Sequence, residues 1–379
     1  MSPSWLRPTR AIVDLDAIRH NIAAIAQAVA PAHLGVVVKA DGYGHGALTV
    51  SRAVVGAGAS WLMVATADEG VELRAAGLSA PILVLSRQRG AALEACVHSG
   101  LSVTVDGSDA IDEVAGIADR VGVRAVPLHL KIDTGMHRVG CEPGHALELA
   151  RHITKHARLE LAGVWTHFAC ADDSRSPVTE RQLDVFVGVL DSMTHAGLEP
   201  GLVHASNSAG ALGRSDSRLG LVRVGLAAWG VLPAADIGVD LDLRPVLRLE
   251  SQVTAVRDLD RGEGVSYGHR YTTSERERIA TVCIGYADGV RRDAGLRGVE
   301  VLIGGRRRPI RGTVTMDQLM VGVDRTVDVG DEVVLVGTQG ADRITVSEVA
   351  DRLGTIPYEV LVAIGPRVPR IEARSLTPP

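Results

Sequence analysis

The sequence predicts an α/β protein: a closed (β/α)8 barrel of the TIM type followed by a mainly β C-terminal domain. Three observations carry this expectation. Short apolar runs alternate with Ala-rich stretches of helical spacing from the N-terminus to about residue 244. Those runs are continuously apolar, as are strands of a parallel sheet buried on both faces. Near Arg244-Pro245 the helical stretches give way to alternating strands and Gly-rich turns. Eight strand–helix units within roughly 230 residues suit a closed barrel better than an open sheet. The expected domains are residues 11–244 for the barrel and 245–379 for the β-rich part.

The elements follow in order. Ile18, Ile22, Ile25 and Val29 repeat at helical spacing behind Asp14 and Asp16, which suit a helix start. The barrel strands are expected in "GVVVKA" 35–40, "WLMVAT" 61–66, "PILVLS" 81–86, "SVTV" 102–105, "VPLHLKID" 126–133, "LAGVWTHF" 161–168, "LVHASNS" 202–208 and "LVRVGLA" 221–227. Intervals such as 68–77 and 181–197 have helical character. After Pro245, strands are expected at 247–256, 278–286, 299–305 and 331–337, with one late helix opened by a capping box at Thr345–Glu348.

Composition excludes several function classes. The net charge is -5, and the richest basic cluster, "GGRRRPIR" at 304–311, reads as a hairpin tip rather than a nucleic-acid surface. No apolar stretch approaches the ~20 residues that span a bilayer, so no membrane partner is expected. The first residues lack the apolar core of a signal peptide. Cysteines 96, 141, 170 and 283 are widely spaced, without a CxxC pair, and the scattered histidines show no metal-ligand spacing. No metal is expected, and the compartment is read as the cytoplasm.

The basic residues carry more information. Among forty, only Lys39, Lys131 and Lys155 are lysines. Arginine can replace lysine wherever charge alone is needed, but it cannot serve as a nucleophile or base. A retained lysine therefore marks amine chemistry, although Lys155, in "RHITKHARLE", reads as a solvated helix residue. Active sites of such barrels lie at the C-terminal ends of the strands. Lys39 ends the first strand; Lys131, Asp133 and Arg138 lie on or after the fifth; Thr166-His167 end the sixth; Asn207-Ser208 end the seventh; Arg223 and Gly225 lie on or after the eighth. A lysine in apolar surroundings has a lowered pKa and forms an imine with an aldehyde readily. Pyridoxal phosphate is the aldehyde cofactor that suits it, with Ser208, the Gly225-Leu226 amides and Tyr43 available to its phosphate. Arg223 facing the pyridine nitrogen would keep that nitrogen unprotonated, since arginine only donates.

These residues sit in stretches that resemble alanine racemases: "VVVKADGYGHG", "HLKIDTGMHRVG", "GVWTHFACAD", "HASNSAG", "VRVGLAAWG", "GVSYGH", "IGYADGV", "TMDQ" and "IPYEVL", in this order along almost the whole chain. The resemblance implies a barrel plus β-domain enzyme, a pyridoxal 5'-phosphate cofactor, a homodimer with shared active sites, and residues 1–10 packed with the β-domain. It implies that Lys39 holds the cofactor and is one acid/base. Tyr267, supplied by the other subunit, is the second. His167 and Arg223 stand behind that tyrosine. Tyr43, Asn207, Ser208, Gly225, Leu226 and Tyr358 join the cofactor-binding set. Arg138, Met316, Tyr286 and Asp317 belong to the substrate's surroundings, and Lys131 matches a lysine often carbamylated. The implied activity is interconversion of L- and D-alanine for peptidoglycan synthesis; a racemase acting on serine or basic amino acids is the alternative. The chain departs from the pattern at Thr313, where an arginine is expected along the substrate's approach, and at Thr315 in place of a cysteine; Trp229 stands where an aromatic residue, often tyrosine, is usual.

Overall fold

The computed structural model describes residues 6–234, 237–238 and 240–374. Residues 1–5 and 375–379, included in the expected β-rich domain, lie outside that range. The chain divides into two compact units. One comprises residues 18–42 and 47–244, the other residues up to 17, 43–46 and from 245 onward.

The first unit is the barrel. Its strands follow a leading strand β1 (Arg10–Asp14) in the chain: β2 (His33–Val37), β3 (Trp61–Val64), β4 (Ile82–Val84), β5 (Ser102–Val105), β6 (Val126–Lys131), β7 (Leu159–Trp165), β8 (Leu202–His204) and β9 (Leu221–Val224). All neighbours pair in parallel, and β2 also pairs with β9, which nearly closes the ring. The seam between β8 and β9 carries backbone bonds from Gly220 N to the Val203 carbonyl (3.0 Å) and from Arg223 N to the Ser206 carbonyl (2.9 Å). Asn21 ties the end of this unit to its first helix, donating to the Arg244 carbonyl (2.8 Å) and accepting from the Arg244 amide (2.7 Å).

The first helix, Leu15–Val29, starts as expected: Asp14 Oδ1 accepts the amides of Asp16 and Ala17, both at 2.9 Å. The strands are shorter than their apolar runs. The polar residues read at strand ends therefore mostly lie one to four residues beyond them. Lys39, for example, opens a helical turn, Lys39–Gly44, rather than ending β2. That turn is left-handed: φ is 52° at Ala40, 55° at Asp41, 63° at Gly42, 55° at Tyr43 and 77° at Gly44. Glycine tolerates this conformation, whereas other residues pay roughly 1–2 kcal/mol each.

In the second unit, β1 lies between the long strand Leu247–Leu259, to which it is antiparallel, and Arg370–Ala373, to which it is parallel. The expected basic hairpin is present. Glu300–Ile303 pairs with Arg306–Pro309 across Gly304-Gly305, both at positive φ, as a tight two-residue turn requires. Its arginines are paired: Arg307 with Glu300, Asp342 and Glu348, and Arg308 with Asp324. One late helix was expected and two occur, Val346–Leu353 and Pro357–Val362. Thr345 caps the first by accepting the Glu348 amide (3.0 Å), but the Glu348 carboxylate turns to Arg307, so the capping box is only half made. No helix of the described residues is long and apolar enough to cross a membrane.

Candidate active site

The barrel unit brings together Lys39, Lys131, Arg138, His167, Asn207, Ser208, Arg223, Gly225 and Leu226. Arg223, on β9, is 3% exposed and forms the centre of the polar set. Its Nη1 donates to His204 Nδ1 (2.9 Å), and its Nη2 to the carbonyls of Thr166 and Ala205 (both 2.8 Å) and to His167 Nδ1 (3.0 Å). Its Nε has no protein partner among the described residues. Burial pulls its pKa down to about 9, which leaves the guanidinium charged at neutral pH. Trp165, the last residue of β7, lies beneath the cations: Lys131 Nζ stands 4.4 Å and the Arg223 guanidinium carbon 4.7 Å from the ring centre.

The cations disfavour one another's charge. Lys39 is lowered first by burial and then by Arg138, with Glu69 opposing. Lys131 falls to about 8 through burial, Arg138 and Arg223. His167 is held well below the usual imidazole value by burial, and then by Arg223, Arg138, Lys131 and Lys39. Arg138 is exposed and has no ion pair among the described residues. The four cations Lys39, Lys131, Arg138 and Arg223 outnumber the carboxylates that act on the lysines, Glu69 on Lys39 and Asp106 and Asp133 on Lys131.

Ser208 Oγ accepts the Gly225 amide at 2.9 Å and the Ala227 amide at 3.5 Å, which fixes the backbone that leads into the Leu226–Trp229 turn. Asn207 caps the Ser208–Gly213 helix: its Oδ1 accepts the Gly210 amide at 3.0 Å. Trp229 is buried.

The second unit holds Tyr43, Tyr267, Tyr286, Met316, Asp317 and Tyr358. The Tyr43 and Tyr358 rings lie 6.0 Å apart, and burial, then Tyr358, raises the Tyr43 phenol above its ordinary range. A Cβ on Gly44 would lie 2.5 Å from the Leu361 carbonyl, so the tyrosine's neighbour must be glycine. His45, read from the sequence as a turn residue, donates Nδ1–H to the Tyr43 carbonyl (2.9 Å). The Tyr286 and Met316 segments are joined by bonds from the Tyr286 amide to the Thr315 carbonyl (2.9 Å) and from the Ala287 amide to the Met316 carbonyl (3.0 Å).

Beneath them, the fully buried Asp288 accepts the Gly285 amide and binds Arg7 (2.5 and 2.6 Å) and Arg367 (3.1 Å); Arg367 also binds Asp317 (2.8 Å). Tyr267 is 71% exposed, Met316 51% and Tyr286 42%. Thr313 is buried within this unit. It is 2% exposed, and its carbonyl accepts Ser266 Oγ (2.6 Å), which braces the turn that carries Tyr267.

Sequence reasoning missed His129, His204, Glu69 and Asp288. Only the strand periodicity, which aims His129 and His204 inward beside apolar residues, offered a signal for the first two.

The comparisons agree with this architecture. Residues 13–233 match the alanine racemase N-terminal domain and residues 246–372 the alanine racemase C-terminal domain. An alanine racemase of Symbiobacterium thermophilum is 44% identical over 98% of each chain, and one of Beutenbergia cavernae 41% over 96% of this chain and 97% of its own. The structure of the alanine racemase from Streptomyces coelicolor A3(2) superposes with a TM-score of 0.93 at 39% identity, covering 98% of this chain and 99% of that one. Sequence, fold and strand-end chemistry converge, and the chain belongs to the alanine racemase family.

Proposed function

We propose that the chain interconverts L- and D-alanine with pyridoxal phosphate held at Lys39, and that two copies share their active sites. The observation that carries this reading is the cluster of Lys39, Lys131, Arg138 and Arg223 around His167, with Lys39 pushed towards the neutral amine by burial. A neutral amine is what imine formation requires. The excess of cations suits a phosphate and a carboxylate, and the unpartnered Arg223 Nε suits an acceptor such as a ring nitrogen. The residues therefore fit the cofactor, which when bound supplies an electron-withdrawing ring that acidifies the substrate's Cα–H.

The protein's own tasks follow. Lys39 Nζ takes or returns the Cα proton on one face. Tyr267 of the second copy does so on the other; its exposure in a single copy supports that role. A phenol is a poor base at neutral pH; the charged Arg223, reached through the neutral His167 to which it donates, supplies the positive charge that favours phenolate. Arg138, with the Met316 backbone of the second copy, receives the substrate carboxylate. Tyr286 and Tyr358 restrict side-chain size, and Asp317 is held at their side by Arg367. Ser208, Gly225, Leu226, Tyr43 and Tyr358 receive the phosphate, while Asn207 holds the Ser208 helix in place. Lys131, with its pKa near 8, has a far larger neutral fraction than an ordinary lysine, which favours carbamylation to an anion that pairs with Arg138. Four free thiols support a reducing, cytoplasmic setting, with D-alanine passing to cell-wall synthesis.

The test is incubation of the purified protein with pyridoxal phosphate and single L-amino acids, followed by chiral chromatography. D-Alanine should accumulate to equal L-alanine. Appearance of D-serine or a basic D-amino acid without D-alanine would replace this reading with the alternative specificity.

A further inference from the structure

Behind Arg223 lies a line of buried polar groups that the proposed reaction does not use. His204 Nε2 stands 2.9 Å from His129 Nδ1, and both imidazoles are fully buried. Trp165 stacks on His204 at 5.5 Å and 8°, and Trp61 meets His129 edge-on at 5.4 Å. The backbone makes room for this line. The β6–β7 register shifts between Leu128 and His129, and a Cβ on Gly163, the residue opposite His129, would lie 2.5 Å from its Nδ1.

The protons in this line follow from one fact: a guanidinium only donates. Arg223 Nη1 points a hydrogen at His204 Nδ1, so that nitrogen is bare. The single proton of neutral His204 is then on Nε2, facing His129 Nδ1. That nitrogen must accept, so His129 carries its proton on Nε2, which has no acceptor among the described residues. Arg223 Nη2 fixes His167 in the same way, with Nδ1 bare and Nε2 protonated. A second proton on His204 would set two donors against each other.

We propose that His204 and His129 are positioning residues that lock Arg223 as an oriented donor: their tautomers are fixed in one sense, and the line keeps the guanidinium plane from turning. The groups that face them are Arg223 and each other, with Lys131 across Trp165, and all these charges are positive. Burial and Arg223 accordingly hold both imidazoles below their ordinary pKa, His129 to about 3. The role of this lock in racemisation rests on the reading of Arg223 given above; the tautomers themselves do not.

The experiment uses the full chain labelled with 15N-histidine and free of cofactor. Long-range 1H–15N correlations report which ring nitrogen is protonated. His204 and His129 should appear as neutral Nε2–H forms throughout pH 5 to 8, the range in which an ordinary histidine titrates. A protonated Nδ1 on His204, or titration of either ring within that range, overturns the lock. In the loaded protein, His204→Leu removes the acceptor and strands a buried donor. It should lower kcat by on the order of 10- to 100-fold with little change in KM for alanine, and shift the cofactor's visible absorption. His204→Asn, whose oxygen takes the place of Nδ1, should restore most of both. A His204→Leu protein with wild-type melting, rate and spectrum would overturn the positioning role. If the wild type turns over no alanine, the functional reading fails, while the NMR measurement still decides the lock.

Discussion

Lys39 is set apart by what an arginine could not do in its place. Lys39→Arg conserves charge but removes the deprotonatable amine, so we expect racemase activity to fall by at least ~10²–10⁴-fold and the cofactor's lysine-bound absorption to be lost, both measured on the same preparation. Lys131 makes a second prediction, on stability. Its pKa near 8 in the folded chain lies below the ordinary 10.5, so folding disfavours its protonated form. Below pH 8 the side chain is charged whether folded or not, and the full cost applies; above 10.5 it is neutral in both states and the cost vanishes. The cofactor-free protein in CO2-free buffer should therefore gain roughly 1–3 kcal/mol of stability between those values, in urea unfolding at successive pH. Lys131→Met should reduce that slope, leaving the part that Lys39 and Arg223 contribute. Lys39 and Lys131 were legible in the sequence because so few lysines remain. His129 and His204 were not: a histidine inside an apolar strand reads as an ordinary core residue until the structure shows that Arg223 faces one.

The left-handed turn Lys39–Gly44 is the element that costs most to hold. Ala40, Asp41 and Tyr43 each pay for a positive φ. Glu69 offsets part of this: its Oε1 accepts the Ala40 amide (2.7 Å), and its Oε2 the amides of Ala65 (2.7 Å) and Thr66 (3.1 Å). Asp41 Oδ1 closes the far end by accepting the Ala47 amide (2.7 Å). Glu69→Ala should destabilise the chain by about 1–3 kcal/mol and raise amide exchange at Ala40, read by hydrogen-exchange mass spectrometry. In the second unit, Asp288→Ala strands Arg7 and Arg367. These are partly exposed, so the loss should be roughly 1–3 kcal/mol in denaturant unfolding. At this scale the sequence announced apolar strands and long amphipathic helices well. The turn after Lys39 was marked by its two glycines, but nothing in Ala, Asp or Tyr announces a left-handed residue. The six-residue helix Pro357–Val362 is too short to show a period.

For the molecule as a whole, the exposed Tyr267, Tyr286 and Met316 make the shared-site dimer testable by complementation. Lys39→Ala and Tyr267→Ala proteins should each be nearly inactive. Mixed after partial unfolding and refolding, they should regain activity, because a heterodimer has one site with both bases intact. Failure of the mixture, with dimers confirmed by sedimentation, would place both bases in one chain. The two-part layout was legible from the loss of helical spacing at Arg244-Pro245. The assignment of β1 was not legible from spacing, because its partners lie at the other end of the sequence. That separation bears on synthesis. β1 leaves the ribosome first, yet the strand that begins at Leu247 follows it by roughly 230 residues, about 10–50 s at ordinary elongation rates. Its other neighbour, Arg370–Ala373, comes later still. Throughout that interval the nascent chain carries an unpaired, half-apolar edge, a template for wrong pairing. The barrel can be assembling while the sheet that β1 is to join does not yet exist, so yield in a cell should depend on chaperones that bind extended N-terminal segments.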